Sequence, residues 1–192
     1  MPLKKRYIIL SGIVAAAIVG YIMRRRIVYA LQLPVIYSLD AMSLYRFKQL
    51  NPVFKPYIVS LIDKANTAGY DTIIVSGYRN YVDSYKLTLQ MGESAAPLIS
   101  YHLFSLAADL NFKNRATGVT LTKSGSSKAQ WQASGILDII RGLGMRTGAD
   151  FNSVDVNHVD LGNKYSIADL TDMAVAQYGD IQNVNGTELK IA

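Results

Sequence analysis

Ser100-Tyr101-His102-Leu103-Phe104-Ser105-Leu106-Ala107-Ala108-Asp109-Leu110-Asn111-Phe112 contains one of the chain's two histidines and, inside an apolar run, a carboxylate. Residues 106–112 read as a strand. A bare charge in such a run is costly unless it is paired or coordinated. The second histidine lies in a similar run, 154–161, within Asp155-Val156-Asn157-His158-Val159-Asp160. Two neutral imidazoles and one carboxylate fill three corners of a tetrahedral zinc site and leave the fourth for water. His102, Asp109 and His158 are therefore candidate ligands for Zn2+, with Asp155 beside them as candidate general base. The competing reading is a structural membrane protein whose two histidines are incidental.

The second segment sets a geometric condition. In a regular strand, residues three apart face opposite sides. Asp155 and His158 can serve one ion only if Val156-Asn157 turns or bulges. Asp160 shares a face with His158, so it is either a fallback base or a partner that orients an imidazole.

Written as spacings, the two segments are Ser100-x-His102-x-x-Ser105-x-Ala107-x-Asp109 and Asp155-x-x-His158. This resembles the zinc peptidases of bacterial cell walls. That family includes D-alanyl-D-alanine carboxypeptidases, vancomycin-resistance D,D-dipeptidases and phage L-alanyl-D-glutamate endopeptidases. Its pattern is Ser-x-His-x-x-Gly-x-Ala-x-Asp, then an acid three residues before a second His. Ser105 in place of Gly is the departure, and a backbone angle open only to Gly would be strained there.

The resemblance spans residues 51–162 and implies zinc on His102, Asp109 and His158, with Asp155 as base. It also implies that Arg79, in Ser76-Gly77-Tyr78-Arg79, points into the site, where a guanidinium would stabilise a developing oxyanion. Ser100 either binds substrate or orients its neighbours. The implied substrate is the peptide stem of peptidoglycan, cut at L-Ala–D-Glu or at D-Ala–D-Ala. The Asp-type base, and the absence of a recognisable wall-binding module, favour the phage endopeptidase side. The alternative is a non-catalytic zinc-binding module on the same fold, used for cell-wall binding.

Outside these motifs, residues 7–23 form an apolar segment with three basic residues on each flank. Seventeen residues lie at the short end of the spanning range of ~17–25. A buried core helix does not suit the basic flanks. A cleaved signal peptide is not favoured, because no small-x-small site follows the apolar run before Arg24. The expectation is an uncleaved N-terminal transmembrane helix within residues 1–26, joined by a juxtamembrane linker, 27–38, to a peptidase domain, 39–180, and a loosely held tail, 181–192. Such a chain would be a single-pass membrane protein with its domain facing the wall, in a bacterial inner membrane or a virion membrane. The apolar part of the linker, broken by Pro34, would lie in the membrane interface or pack on the domain as a first strand.

Charge supports this division. The net charge is +6, but six of the twenty basic residues stand in residues 1–26 without an acid, leaving fourteen bases against fourteen acids. A nucleic-acid partner, which would need a basic surface on the folded domain, is not expected. The chain has no cysteine, which excludes thiolate zinc sites and disulfide frameworks.

Helices are expected at 39–50, 52–68, 81–91, 129–143 and 166–178, and strands at 71–76, 106–112 and 154–161. In the second helix Val53, Tyr57, Leu61 and Ala65 recur at helical spacing as a core stripe. Residues 113–127 are polar and read as a groove rim or a plain loop. Trp131 reads as core or cleft wall in preference to a substrate-stacking residue. The fold class is α+β: a small antiparallel sheet with helices around it and the zinc site on its open face.

Overall fold

A computed structural model describes residues 38–92 and 97–191. The transmembrane helix expected within residues 1–26, and all but the last residue of the linker, lie outside the described residues. Among those described, no helix is long and apolar enough to cross a membrane.

The elements run α1 (Ala41–Lys48), α2 (Lys55–Thr67), β1 (Tyr70–Ser76), α3 (Tyr81–Met91), β2 (Ala107–Asn114), β3 (Thr120–Leu121), α4 (Lys128–Ala133), α5 (Ile136–Gly142), β4 (Arg146–Thr147), β5 (His158–Asp160) and α6 (Ile167–Tyr178). Short 3-10 turns occupy Gly148–Asp150 and Ile181–Asn183. The fold is α+β, with one five-stranded sheet in the order β1-β2-β5-β4 and β3 paired to the far half of β2. Every pairing is antiparallel.

β2 organises the sheet because its two faces differ. Ala108, Leu110 and Phe112 point into the core and are fully buried. Asp109, Asn111 and Lys113 take the opposite face, as the two-residue period of a strand requires. Phe112 meets the ring of Trp131 edge to face, with centroids 5.8 Å apart. Trp131 is completely buried, so it is core and not a stacking platform. From α2, Ile58, Leu61, Ile62 and Ala65 complete the core. Tyr57 and Val53, expected in the same stripe, are only half-buried; the buried face is centred one position further round the helix.

α1 is started by Asp40, whose side chain accepts the Ser43 N–H at 2.8 Å. It also closes the outer edge of β1. The Ile74 N–H donates to Ser43 Oγ at 2.9 Å and Arg46 donates to the Ile74 carbonyl at 2.7 Å. These bonds satisfy ladder groups that an open edge would leave exposed.

Four expectations are corrected. The helix expected over 129–143 is two helices, because Gly135 stands at φ +77° and starts a new direction. The polar stretch 113–127 contains β3, held by pairing to Phe112 and Lys113. The strand expected over 154–161 shrinks to His158–Asp160, because the chain turns before it. Finally, residues 181–191 are not loosely held. Buried Asn51 donates to the carbonyls of Gly186 and Leu189 at 2.8 and 2.9 Å, and Thr187 Oγ1 donates to the Gln49 carbonyl at 2.7 Å. Val184 and Leu189 are buried, so the C-terminal segment belongs to the domain.

Candidate metal centre

Sheet register brings the acid and the second histidine together. Asp109 in β2 stands directly opposite His158 in β5, and directly opposed residues project from the same face. On the other side of β2, Asp109 is partnered by Ser76, after a register shift between Ile74 and Ser76. That shift delivers Gly77 to the rim of the site. The His102 turn packs there, with the Arg79 N–H on the His102 carbonyl at 3.1 Å.

The three predicted ligands converge. His102 Nε2 lies 3.3 Å from His158 Nδ1 and 3.4 Å from Asp109 Oδ1; His158 Nδ1 lies 3.2 Å from Asp109 Oδ1. Ligand atoms of a tetrahedral zinc, at bond lengths of ~2.0–2.1 Å, stand roughly 3.3–3.4 Å apart. The triangle therefore has the dimensions of one face of such a tetrahedron. Among the described residues these are the three that could hold a metal ion. The donor set, two imidazole nitrogens and one carboxylate oxygen, suits zinc chemically.

Each imidazole turns a different nitrogen to that point. His102 Nδ1 lies 2.6 Å from the Gly77 carbonyl oxygen. It must carry the proton, leaving the Nε2 lone pair free. His158 Nε2 lies 3.0 Å from Asp160 Oδ2, which turns Nδ1 towards His102 and Asp109. Asp160 is buried and also receives Arg146 Nε and Nη2 at 2.7 and 2.9 Å. Of its two expected roles, the one it occupies is partner to the His158 ring. Committed to His158 and Arg146, it is not placed as a free base.

Electrostatics follow from this crowding. Burial opposes charge on His158, but the hydrogen bonds and charges of Asp109 and Asp160 outweigh it and raise its pKa to about 9. Burial also opposes charge on Asp109, yet the two histidines hold its carboxyl far below the usual carboxylate range. These groups thus form a tight cluster of opposite charges.

The geometric condition on Asp155 is met. The His158 N–H donates to the Asp155 carbonyl at 3.0 Å, closing a turn over Val156-Asn157. The turn packs against Gly148, whose carbonyl accepts the Asp155 N–H at 2.9 Å. A Cβ on Gly148 would collide with the Asp155 carbonyl, so only glycine fits there. Asp155 Oδ2 pairs with Lys123 Nζ at 2.7 Å. Its Oδ1 is buried without a hydrogen-bond partner among the described residues, as is Ser100 Oγ.

A cavity of about 500 Å³ opens over these groups. The three donor residues line it together with Asp155, Asp160, Arg79 and Ser100. Every site residue expected from the sequence therefore reaches one cavity. Lys123 and Arg146 line it too and were not expected. Lys123 sits in the polar stretch after β3, and Arg146 in a two-residue strand between glycines. The one available signal was chemical: Asp155 and Asp160, in an apolar run, each require a counter-charge.

Ser105 explains how the motif departure is tolerated. It alone among the described non-glycine residues has positive φ, at +56°. Its carbonyl accepts the Asn51 N–H at 3.0 Å, and its N–H bonds the His102 carbonyl at 3.1 Å. The turn keeps the left-handed angle that glycine would adopt freely.

No family model matches the chain, and no curated protein does. Among solved structures it is similar to the L-Ala D-Glu endopeptidase ChiX of Serratia marcescens, at 18% identity over 64% of this chain and 89% of that one, TM-score 0.48. It is also similar to the vancomycin resistance D,D-pentapeptidase VanY from a VanB-type cassette, a point mutant in complex with Zn(II). That match has 20% identity over 68% of this chain and 80% of that one, TM-score 0.42.

Proposed function

We propose that this chain is a zinc peptidase that hydrolyses peptide bonds in the peptidoglycan stem. The observation that carries the reading is the 3.2–3.4 Å triangle of His102 Nε2, Asp109 Oδ1 and His158 Nδ1 under an open cavity. The substrate class comes from the motif resemblance. The L-Ala–D-Glu bond is favoured over D-Ala–D-Ala by the Asp-type base.

His102, Asp109 and His158 would hold the metal. A zinc ion there supplies Lewis acidity, lowering the pKa of a water molecule and polarising a carbonyl. The chain's own groups do the rest. Asp155 Oδ1, with no partner of its own, takes a proton from water as its oxygen bonds to the scissile carbonyl carbon. Asp155 then passes that proton to the amide nitrogen as the C–N bond breaks, releasing a carboxylate and an amine. Lys123 holds Oδ2 and so fixes the orientation of the carboxylate. Arg79 donates to the carbonyl oxygen as negative charge develops on it. Ser100 Oγ, also without a partner among the described residues, would bond the substrate backbone or orient its neighbours.

Mass spectrometry of purified peptidoglycan, digested by the full chain with and without chelator, tests this. New amine termini at L-Ala–D-Glu junctions, abolished by chelator, are expected. Release of D-Ala would shift the assignment to the carboxypeptidase type. A zinc-loaded protein that yields neither sinks the peptidase reading.

A zinc-binding module without hydrolysis is the second reading, favoured by the Lys123–Asp155 ion pair, which occupies half of the base. Asp155→Ala separates the two. An enzyme keeps zinc and loses hydrolysis, whereas a binding module loses nothing measurable.

The location is proposed from sequence alone: residues 7–23 anchor the chain in a bilayer, with the domain on the wall side of a bacterial or virion membrane. Extraction of membranes at alkaline pH tests the anchor; release of the intact chain into the supernatant would refute it.

A further inference from the structure

We propose that Arg146 is a positioning residue of the metal centre, acting on His158 through Asp160. The inference rests on the metal-centre reading above and extends it to a residue that no motif contains. β4 pairs with β5 so that Arg146 stands directly opposite Asp160, and Asp160 shares its strand face with His158 two residues away. Side chains of all three therefore rise from one face of the sheet in a row.

The contacts along that row are specific. Arg146 grips Asp160 through two nitrogens at 2.7 and 2.9 Å, a bidentate fork that fixes the carboxylate plane. Asp160 is 1% exposed. Its Oδ1 also accepts the Gly162 N–H at 2.7 Å, and its Oδ2 faces His158 Nε2 at 3.0 Å. The guanidinium is itself confined. Its carbon lies 4.9 Å from the centroid of Tyr101 and 5.1 Å from that of Phe151. Gly162 closes the remaining side, since a Cβ there would overlap the guanidinium. Phe151 also packs on the His158 ring, centroids 5.6 Å apart.

Such a fork does two things. It holds Asp160 Oδ2 against His158 Nε2, which turns Nδ1 towards His102 and Asp109. It also stops the carboxylate from rotating, which holds the ring plane. Partners of this kind typically contribute about 10–100-fold to metal affinity.

Positioning and plain charge make opposite predictions. Removing a cation near the site relieves repulsion against an incoming dication and would tighten zinc binding. Removing a positioning fork lets Asp160 and His158 reorient and weakens it.

The test measures zinc affinity of the full chain by chelator competition in the parent and in Arg146→Met, with the visible spectrum of the cobalt-substituted protein as second readout. The expected result is zinc affinity about 10–100-fold weaker with an altered cobalt spectrum, partly restored in Arg146→Lys. Unchanged or tighter binding in a folded Arg146→Met protein overturns the proposal. Should Arg146→Met fail to fold, Gly162→Ala displaces the guanidinium while keeping every charge. Weaker zinc binding is expected there too, and unchanged affinity overturns the proposal. A parent that takes up no zinc sinks the metal centre itself. A zinc-binding parent beside an equally tight variant sinks only the role of Arg146.

Discussion

The two histidines of the site are held in unlike ways. His102 is 4% exposed and fixed by main chain: its Nδ1 proton goes to the Gly77 carbonyl, and its own carbonyl takes the N–H groups of Arg79 and Ser105. His158 is fixed by side chains, through Asp160 and the Arg146 fork. A backbone acceptor cannot be mutated away and cannot titrate. A carboxylate acceptor can do both, and it raises the basicity of the ring it holds. The 100–109 segment therefore holds its imidazole with main-chain atoms, and the 155–160 segment holds its own with side chains that can titrate.

The largest effect should come from the ligands. His102→Ala and His158→Ala each remove one of three protein donors. If zinc binding is worth roughly 10–16 kcal/mol shared among its ligands, each should weaken affinity on the order of a thousand-fold or more. Equal losses, measured by chelator competition, fit one shared ion. A protein that keeps parental affinity without His158 would break the comparison, because only the backbone-held ligand would then matter.

Next comes Asp155→Asn. On the proposed mechanism it removes the proton acceptor but preserves the shape of the turn, so kcat should fall by about 100–10,000-fold with zinc content unchanged. A parallel loss of zinc would instead make Asp155 a ligand and erase the division between holding the ion and moving the proton.

Much of this arrangement is legible in the sequence. Asp109 and His158 stand in apolar runs where charge demands a partner, and the requirement that Val156-Asn157 turn followed from strand parity alone. The sheet's centre and its flanking helices followed from apolar periodicity. What stayed hidden shares a physical cause: it depends on contacts between residues far apart in the chain, which leave no local pattern. β3 and β4 have two residues each, too short for alternation to register. The anchoring of residues 181–191 runs through Asn51 and Gln49, more than 130 positions away. Lys123 and Arg146 are ordinary basic residues until folding sets them against Asp155 and Asp160.

A pH series sharpens the contrast at smaller amplitude. In the metal-free domain the His158 pKa is raised to about 9, against ~6.5 for an unfolded histidine. The proton it carries stabilises the folded state fully below ~6.5, and that contribution is lost as pH rises through about 9. Zinc must displace the same proton. Apparent zinc affinity should rise roughly tenfold per pH unit across this window and level off above it. Affinity independent of pH between 7 and 8.5 would show that His158 binds no proton in the free site and that the raised basicity is absent.

The smallest effect probes the backbone-held side. Ser105 adopts φ +56°, which costs a non-glycine residue roughly 1–2 kcal/mol. Glycine removes that strain but gives back about 0.5–1 kcal/mol through the freedom of the unfolded chain. The Ser105 hydroxyl reaches Thr187 Oγ1 only at 3.5 Å, a marginal bond. Ser105→Gly should therefore stabilise the fold by up to ~1 kcal/mol, a rise of about 2–4 °C in Tm, and leave zinc affinity unchanged. The second half of that expectation is the sharper one. His102 is oriented by the Gly77 carbonyl and by turn bonds that use only main-chain atoms, so relaxing one φ angle leaves those bonds intact. A Ser105→Gly protein with lowered Tm and weakened zinc binding would mean that the serine hydroxyl, not the main chain, holds the first ligand in place.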